Sequence, residues 1–307
     1  MSRTVSGLRH SLCFTLVLAL AAGGSAALAE EPSSRQAFRV CKDPNNMPFT
    51  NARGEGFEDK IAELFARQLG LPVQYYTFPQ RLGFVRNTLR FKLPGADYPC
   101  DVVMGVPAGF GQLMPTKPYY RSTYVLVFRT DKGLQAVGSE ADFLGLPRQQ
   151  LAALKIGVFD RSPGSAWLDR HQLVDSGVPY RVMDANPDDT PGGVIERDLA
   201  SGQIDVAVVW GPIGAYFARQ AKEGALRTVP LASAEGVKFD YAMAMGVRFG
   251  DGAWKRQIEE LIDRNREQIA AILRDYGVPL LAEPVPPAAA IADGGAQLAA
   301  AAKPAPR

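Results

Sequence analysis

The side chains in this 307-residue chain that could do chemistry are few: two histidines, three cysteines and a short run of clustered acids. His10 lies in an N-terminal stretch that reads as a removable leader, which leaves His171 as the one histidine of the processed chain. A single imidazole cannot serve both a Ser-His-Asp triad and a histidine-based metal site, and Asp169-Arg170-His171 on a helical stretch reads as surface. Asp184, Asp188 and Asp189 could face a hard cation, but they lack the alternating Asp-x-Asp-x-Asp-Gly spacing of a calcium loop. Pro187 and Pro191 mark that segment as a solvated turn, so no metal is expected there. Gly54 with Gly56, and Gly192 with Gly193, match neither a dinucleotide fingerprint nor a phosphate loop, since no Lys-Ser/Thr follows either pair. No cofactor and no enzymatic activity are expected.

The leader itself is read from its layout. Arg3 and Arg9 precede an apolar run from Leu12 to Ala22, and Ala27-Leu28-Ala29 closes it with an A-x-A site, so residues 1–29 are expected to be a signal peptide. A membrane anchor would need about 20 apolar residues, and Gly23, Gly24 and Ser25 interrupt this run too early. The expected location is the periplasm, with no membrane association after cleavage. Cys13 leaves with the leader, and Cys41 and Cys100 remain in an oxidising compartment. They are expected to form a structural disulfide, with two free thiols as the alternative. The chain carries 34 basic and 32 acidic side chains; the two arginines in excess belong to the leader, so the charge of the remainder balances. Without a basic cluster the electrostatic footprint of a nucleic-acid binder is missing.

The elements that would hold these residues alternate. At 47% hydrophobic and 21% charged the chain reads as globular. Ala37–Cys41 reads as a strand running into the turn-rich Asp43–Pro48, and Ile61, Leu64, Phe65 and Leu69 recur at helical spacing over Glu58–Leu69. Val73–Phe78 reads as a strand, Gln80–Phe91 as a helix with Leu82, Val85 and Leu89 on one face, and Asp101–Val106 as a buried strand. After a strand at Tyr124–Arg129 the alternation restarts with Lys155–Phe159, a helix near Ala166–Leu173, a strand at Pro179–Met183, a Pro/Gly/Asp loop from Asn186 to Gly193, a helix to Ser201 and a strand Ile204–Trp210. Tyr241–Val247 reads as a strand, and one helix is expected over Trp254–Tyr276, closed by Gly277 and Pro279. Beyond Glu283 the chain is Ala, Pro and Gly, an expected flexible tail over 284–307. Repeated strand–helix–strand units imply parallel sheets covered by helices.

In order and spacing, Gly54–Glu58, Pro118-Tyr119-Tyr120, Lys155–Val158 and Gly202–Val206 resemble the periplasmic solute-binding proteins, over about residues 37–280. The resemblance implies an α/β fold of two lobes, type II-like, joined by two crossover strands near Tyr124–Arg129 and Tyr241–Met245. Lobe 1 would comprise 37–128 and 242–283, and lobe 2 129–241. It also implies a clamp: amino-acid binders of this kind place an Arg about nine residues before the Pro-Tyr and an Asp after the second-lobe strand. Counting back from Pro118 reaches Gly109, and the strand ends in Trp210-Gly211-Pro212, so both charges are missing. Burying a zwitterion without counter-charges costs several kcal/mol, which disfavours the usual ligand class.

Ligands of open α/β sheets bind beyond the strand ends, so the expected cleft is lined by Asn45, Asn46, Met47, Phe49, Phe57, Glu58, Met104, Phe110, Tyr119, Tyr120, Phe159, Trp167, Trp210 and Tyr216. Such an aromatic and sulfur-rich surface suits another protein's side chains better than a polar solute. Glu58 has two readings: a first-turn acid favoured by the helix dipole, or a cleft acid/base of the kind used by periplasmic dehydratases on this scaffold. The first is preferred.

Cys41–Phe49, Gly54–Glu58, Asp101–Pro107 with Pro118–Tyr124, and Val209–Pro212 further resemble the J proteins of methanol dehydrogenase gene clusters, the MoxJ/XoxJ family. That resemblance implies a monomeric periplasmic accessory that assists maturation or activation of a PQQ-dependent methanol dehydrogenase, its protein partner. The alternative is an ABC-transporter-type receptor for a small apolar or aromatic solute.

Overall fold

Short apolar strands and helices with one apolar face set the architecture. The computed structural model describes residues 35–80, 82–181, 190–222 and 224–282, all within one compact unit, Ser33–Arg307. The expected leader, the acids at 184, 188 and 189 and the tail over 284–307 lie outside the described residues.

In chain order the elements are β1 (Phe38–Lys42), β2 (Asn45–Asn46), β3 (Thr50–Asn51), α1 (Phe57–Leu69), β4 (Val73–Thr77), α2 (Phe84–Asn87), β5 (Val102–Pro107), β6 (Met114–Ser122), β7 (Tyr124–Arg129), α3 (Glu140–Leu144), α4 (Arg148–Ala153), β8 (Ile156–Phe159), α5 (Pro163–Arg170), β9 (Gly177–Tyr180), a π-type turn (Val194–Leu199), β10 (Val206–Trp210), α6 (Gly211–Gln220), β11 (Leu226–Pro230), β12 (Tyr241–Val247), α7 (Gly252–Arg264) and α8 (Arg266–Asp275). Two five-stranded sheets result, ordered β4-β1-β5-β12-β6 and β11-β7-β10-β8-β9. In the first, β1 runs parallel to β4 and β5, and β12 is antiparallel to both of its neighbours. The second mirrors this, with β8 parallel to β9 and β10, and β7 antiparallel to both of its neighbours. Each sheet has its own core, around Phe38, Phe65 and Trp254 in one and Phe128, Phe143 and Trp167 in the other.

Helix α1 shows how local sequence sets an end. The Asp59 carboxylate accepts the Gly56 N–H at 3.0 Å, and Gly70 closes the helix at φ 66° with its N–H bonded back to Arg67. A Cβ on Gly56 would stand 1.9 Å from the Phe49 carbonyl oxygen, so only glycine fits there.

Several expectations need correction. The helix read over Gln80–Phe91 shrinks to Phe84–Asn87, because Gly83 takes φ 85° before it and the Thr88 hydroxyl bonds back to the Phe84 carbonyl after it. Leu82 is consequently 85% exposed, while Val85 and Leu89 are buried. The helix read as continuous over Trp254–Tyr276 breaks at Asn265, whose side chain donates to the Leu261 carbonyl at 2.8 Å; α7 and α8 keep one buried stripe of Ile258, Leu261, Ile262, Ile269 and Leu273. The helix read up to Ser201 is π-wound over Val194–Leu199. β7 belongs to the second sheet, so the chain first crosses at Thr123, ahead of the boundary expected at 128. It returns between β11 and β12. The edge strands β6 and β11 were not anticipated.

Cys41 and Cys100 are disulfide-bonded, S–S 2.06 Å with Cα atoms 5.3 Å apart, and tie β1 to the start of β5.

Candidate functional site

A cavity of about 480 Å³ lies where the strand ends of the two sheets meet. From the first sheet, the β1–α1 segment contributes Asp43, Asn45, Asn46 and Phe49, helix α1 contributes Glu58, and the end of β5 contributes Met104, Gly105 and Pro107. Tyr241 and Met243 come from β12. The second sheet supplies Tyr124 at the start of β7, Trp210 at the end of β10 and Ile213 on α6; Gln80, Thr190 and Pro191 complete the wall.

The polar groups of the rim hold one another. Asp43 accepts the backbone N–H groups of Asn45 at 2.8 Å and Gln80 at 2.6 Å, and the Asn46 amide donates to the Gln80 side chain at 2.8 Å. Deeper in, Glu58 receives the Tyr119 hydroxyl at 3.3 Å, and its carboxylate packs so closely on β5 that a Cβ on Gly105 would be 2.2 Å from Oε1. Burial pushes the Glu58 pKa up to about 8, the adjacent Asp59 carboxylate adds to this, and the Tyr119 hydrogen bond opposes it. At neutral pH the group is therefore mainly the uncharged acid, a hydrogen-bond donor.

No lysine, arginine or histidine is among the described residues of the wall. The nearest cation in sequence, Lys42, is committed elsewhere: its buried ammonium bonds Asp59 at 2.9 Å and the Asn51 carbonyl at 2.8 Å, and sits 3.8 Å from the Tyr75 ring centroid. The two expected clamp positions carry no charge. Gly109 occupies a turn at φ 87°. Gly211 opens α6, donating to the Thr123 carbonyl at 2.9 Å, and a Cβ there would lie 2.2 Å from that oxygen and 2.5 Å from Pro279 Cγ. No side chain fits at that point of the second sheet.

Three rings dominate the apolar wall. Tyr124 and Trp210 have centroids 5.5 Å apart, Trp210 and Tyr241 5.8 Å, and Tyr124 and Tyr241 6.4 Å, all steeply inclined to one another. Burial pushes the Tyr124 phenol up to about 12, so it stays neutral.

Of the residues expected in the cleft, Asn45, Asn46, Phe49, Glu58, Met104 and Trp210 line this cavity. Phe57, Tyr119 and Tyr120 are buried in the first core. Met47, Phe159 and Tyr216 pack on the apolar cluster of the second sheet around Ile213 and Phe217. Phe110 packs beside the disulfide. Trp167 corrects the reading most clearly: it is 1% exposed in the second core, with its indole N–H on Glu140 at 2.7 Å, because α5 turns Gly164, Trp167 and Leu168 onto the sheet. His171 is partly covered, its ring 5.1 Å from that of Trp167. Sequence reasoning missed Tyr124, Tyr241, Met243, Gln80 and Ile213; the signal for the first two was that each opens a crossover strand. Among the described residues no group of three His, Cys, Asp or Glu is arranged to hold a metal ion, and no helix is long and apolar enough to cross a membrane.

Two mixed sheets joined by paired crossovers, with a cavity at their strand ends, define the two-lobed type II-like fold of periplasmic binding proteins. The crystal structure of periplasmic binding protein XoxJ from Methylobacterium extorquens AM1 is similar at TM-score 0.63 and 35% identity, over 80% of this chain and all of that one. MxaJ from Methlophaga aminisulfidivorans MPT shares the fold at TM-score 0.65 and 23% identity, with the same coverage. In sequence, the protein MoxJ of Methylorubrum extorquens is 30% identical over 282 residues, 85% of this chain and 86% of that protein. The chain belongs to the MoxJ family. No family model matches it.

Proposed function

We propose that this protein is a periplasmic accessory of a PQQ-dependent methanol dehydrogenase, exported through its N-terminal leader, and that the cleft between its lobes engages a segment of the enzyme during maturation or activation. Kinship with MoxJ over most of both chains supports the partner. The observation that carries the cleft reading is the wall itself: Phe49, Tyr124, Trp210, Tyr241 and two methionines, with neither charge of an amino-acid clamp. A cavity of about 480 Å³ takes a side chain or a small molecule rather than a whole helix. The contact with the enzyme is therefore an inserted side chain, with the rest of the segment lying over the rim.

The test is genetic and biochemical. Dehydrogenase purified from cells lacking this protein should have lower specific activity or incomplete cofactor loading, restored by the wild-type gene. Equal activity and equal cofactor content in the two preparations would overturn the reading. The size of the cavity also favours a second reading, a receptor for a small apolar or aromatic solute. A thermal-shift screen separates the two, because a ligand at 100 times its Kd adds about 2.7 kcal/mol.

A further inference from the structure

The cavity has an electrical character that its greasy wall conceals. Its ionisable residues besides tyrosine are Asp43 and Glu58, both acids. Neither has a cation partner among the described residues: Asp43 accepts backbone N–H groups, and Glu58 accepts the Tyr119 hydroxyl. The same cavity is lined by Tyr124, Trp210 and Tyr241, three mutually inclined rings at centroid spacings of 5.5–6.4 Å. An aromatic ring attracts a cation through its negative face, most strongly where water is excluded. The Tyr241 ring already has the Lys238 ammonium 5.2 Å from its centroid.

We infer that the cavity receives an organic cation, a quaternary ammonium or guanidinium group, packed on Tyr124, Trp210 and Tyr241, with Asp43 as its counter-charge. The inference rests on the cavity being the working site and names what enters it. An anion would meet the Asp43 carboxylate, and no lysine, arginine or histidine is among the described residues of the wall to receive it. A neutral apolar group would fill the space but leave the Asp43 carboxylate without a counter-charge. The same chemistry can arrive as a free alkylammonium or as an arginine side chain offered by the partner polypeptide.

Choline and 3,3-dimethylbutan-1-ol have the same shape and differ in charge, and N-acetyl-argininamide stands for the side chain. All three are titrated into the purified full chain at constant ionic strength, read by calorimetry and tryptophan emission. Trp167 and Trp254 are 1% exposed in their cores, so the emission change reports on Trp210. At least one cation should bind about tenfold or more tighter than the neutral alcohol. A preference for choline assigns the free ammonium, and a preference for the argininamide assigns the partner's side chain. Trp210→Leu should abolish the difference, whereas Trp210→Phe, which keeps a ring, should retain most of it. Asp43→Asn should weaken the cations and leave the alcohol unchanged. If Trp210→Leu does not fold, the comparison of isosteres on the native chain still decides. The alcohol binding as well as either cation, or neither cation binding at millimolar concentration, would overturn the inference. The assay contains no dehydrogenase, so that outcome would leave the accessory role to its own test.

Discussion

Two buried carboxyl groups at opposite ends of the first sheet are treated in opposite ways. Asp101, fully buried just before β5, is held by Arg35 at 2.8 Å, Arg39 at 2.7 Å and Arg248 at 2.5 Å. Burial alone would raise its pKa, but the guanidiniums of Arg39, Arg248 and Arg35 hold it below the usual carboxylate range. Glu58, 7% exposed near the other end of the same strand, has a tyrosine hydroxyl and no cation, and its pKa rises to about 8. The first arrangement has its charge answered within the fold and serves architecture. The second keeps its acid mainly protonated in the wall of the cavity, and a shifted group of this kind in a cleft is what makes that end of the sheet the candidate site.

That contrast can be broken from either side. The largest effect is expected for Asp101→Asn, which leaves three clustered guanidiniums with only the Asp251 carboxylate, paired to Arg35 and Arg248, between them; stability should fall by about 3–5 kcal/mol in urea titration. A loss below about 1 kcal/mol would mean the cluster behaves as a surface network. Glu58→Gln should act with the opposite sign. The folded pKa of about 8 lies above the ordinary 4.5, so the folded state holds the proton longer than the unfolded one. Stability from this group is full below pH 4.5 and is lost as pH rises towards 8, with a slope approaching 1.4 kcal/mol per pH unit, about the value of one proton. The glutamine variant should lack that slope and be the more stable protein at pH 8; identical pH profiles would remove Glu58 from the argument. Gly105→Ala should be smallest, about 1–2 kcal/mol from the left-handed backbone at φ 66°. It should also weaken ligand binding, since the new methyl group displaces the Glu58 carboxylate.

Much of this was legible in advance where a pattern is local. The runs Val102–Val106 and Val206–Trp210 are buried on both faces and read directly as inner strands, and α1 carries its own cap and stop. The edge strand β6 was not legible, because Pro115 and Pro118 interrupt a strand pattern, while an edge tolerates them. Within the site, Asn46, Phe49 and Trp210 were found because they lie in or beside the segments that follow strand ends, where ligands of such sheets bind. Trp167 was misplaced because a helix following a strand chooses its inward face from packing against the sheet behind it. Tyr124 and Tyr241 were missed because their convergence depends on two crossovers meeting, a relation between residues more than a hundred positions apart.

The contact between Gly211 and the Thr123 carbonyl limits what redesign of the cavity can do. The first crossover occupies the space that even a methyl group would require at the start of α6. Placing an acid there would take a shift of the Thr123 backbone together with the new side chain, two changes neither of which helps alone.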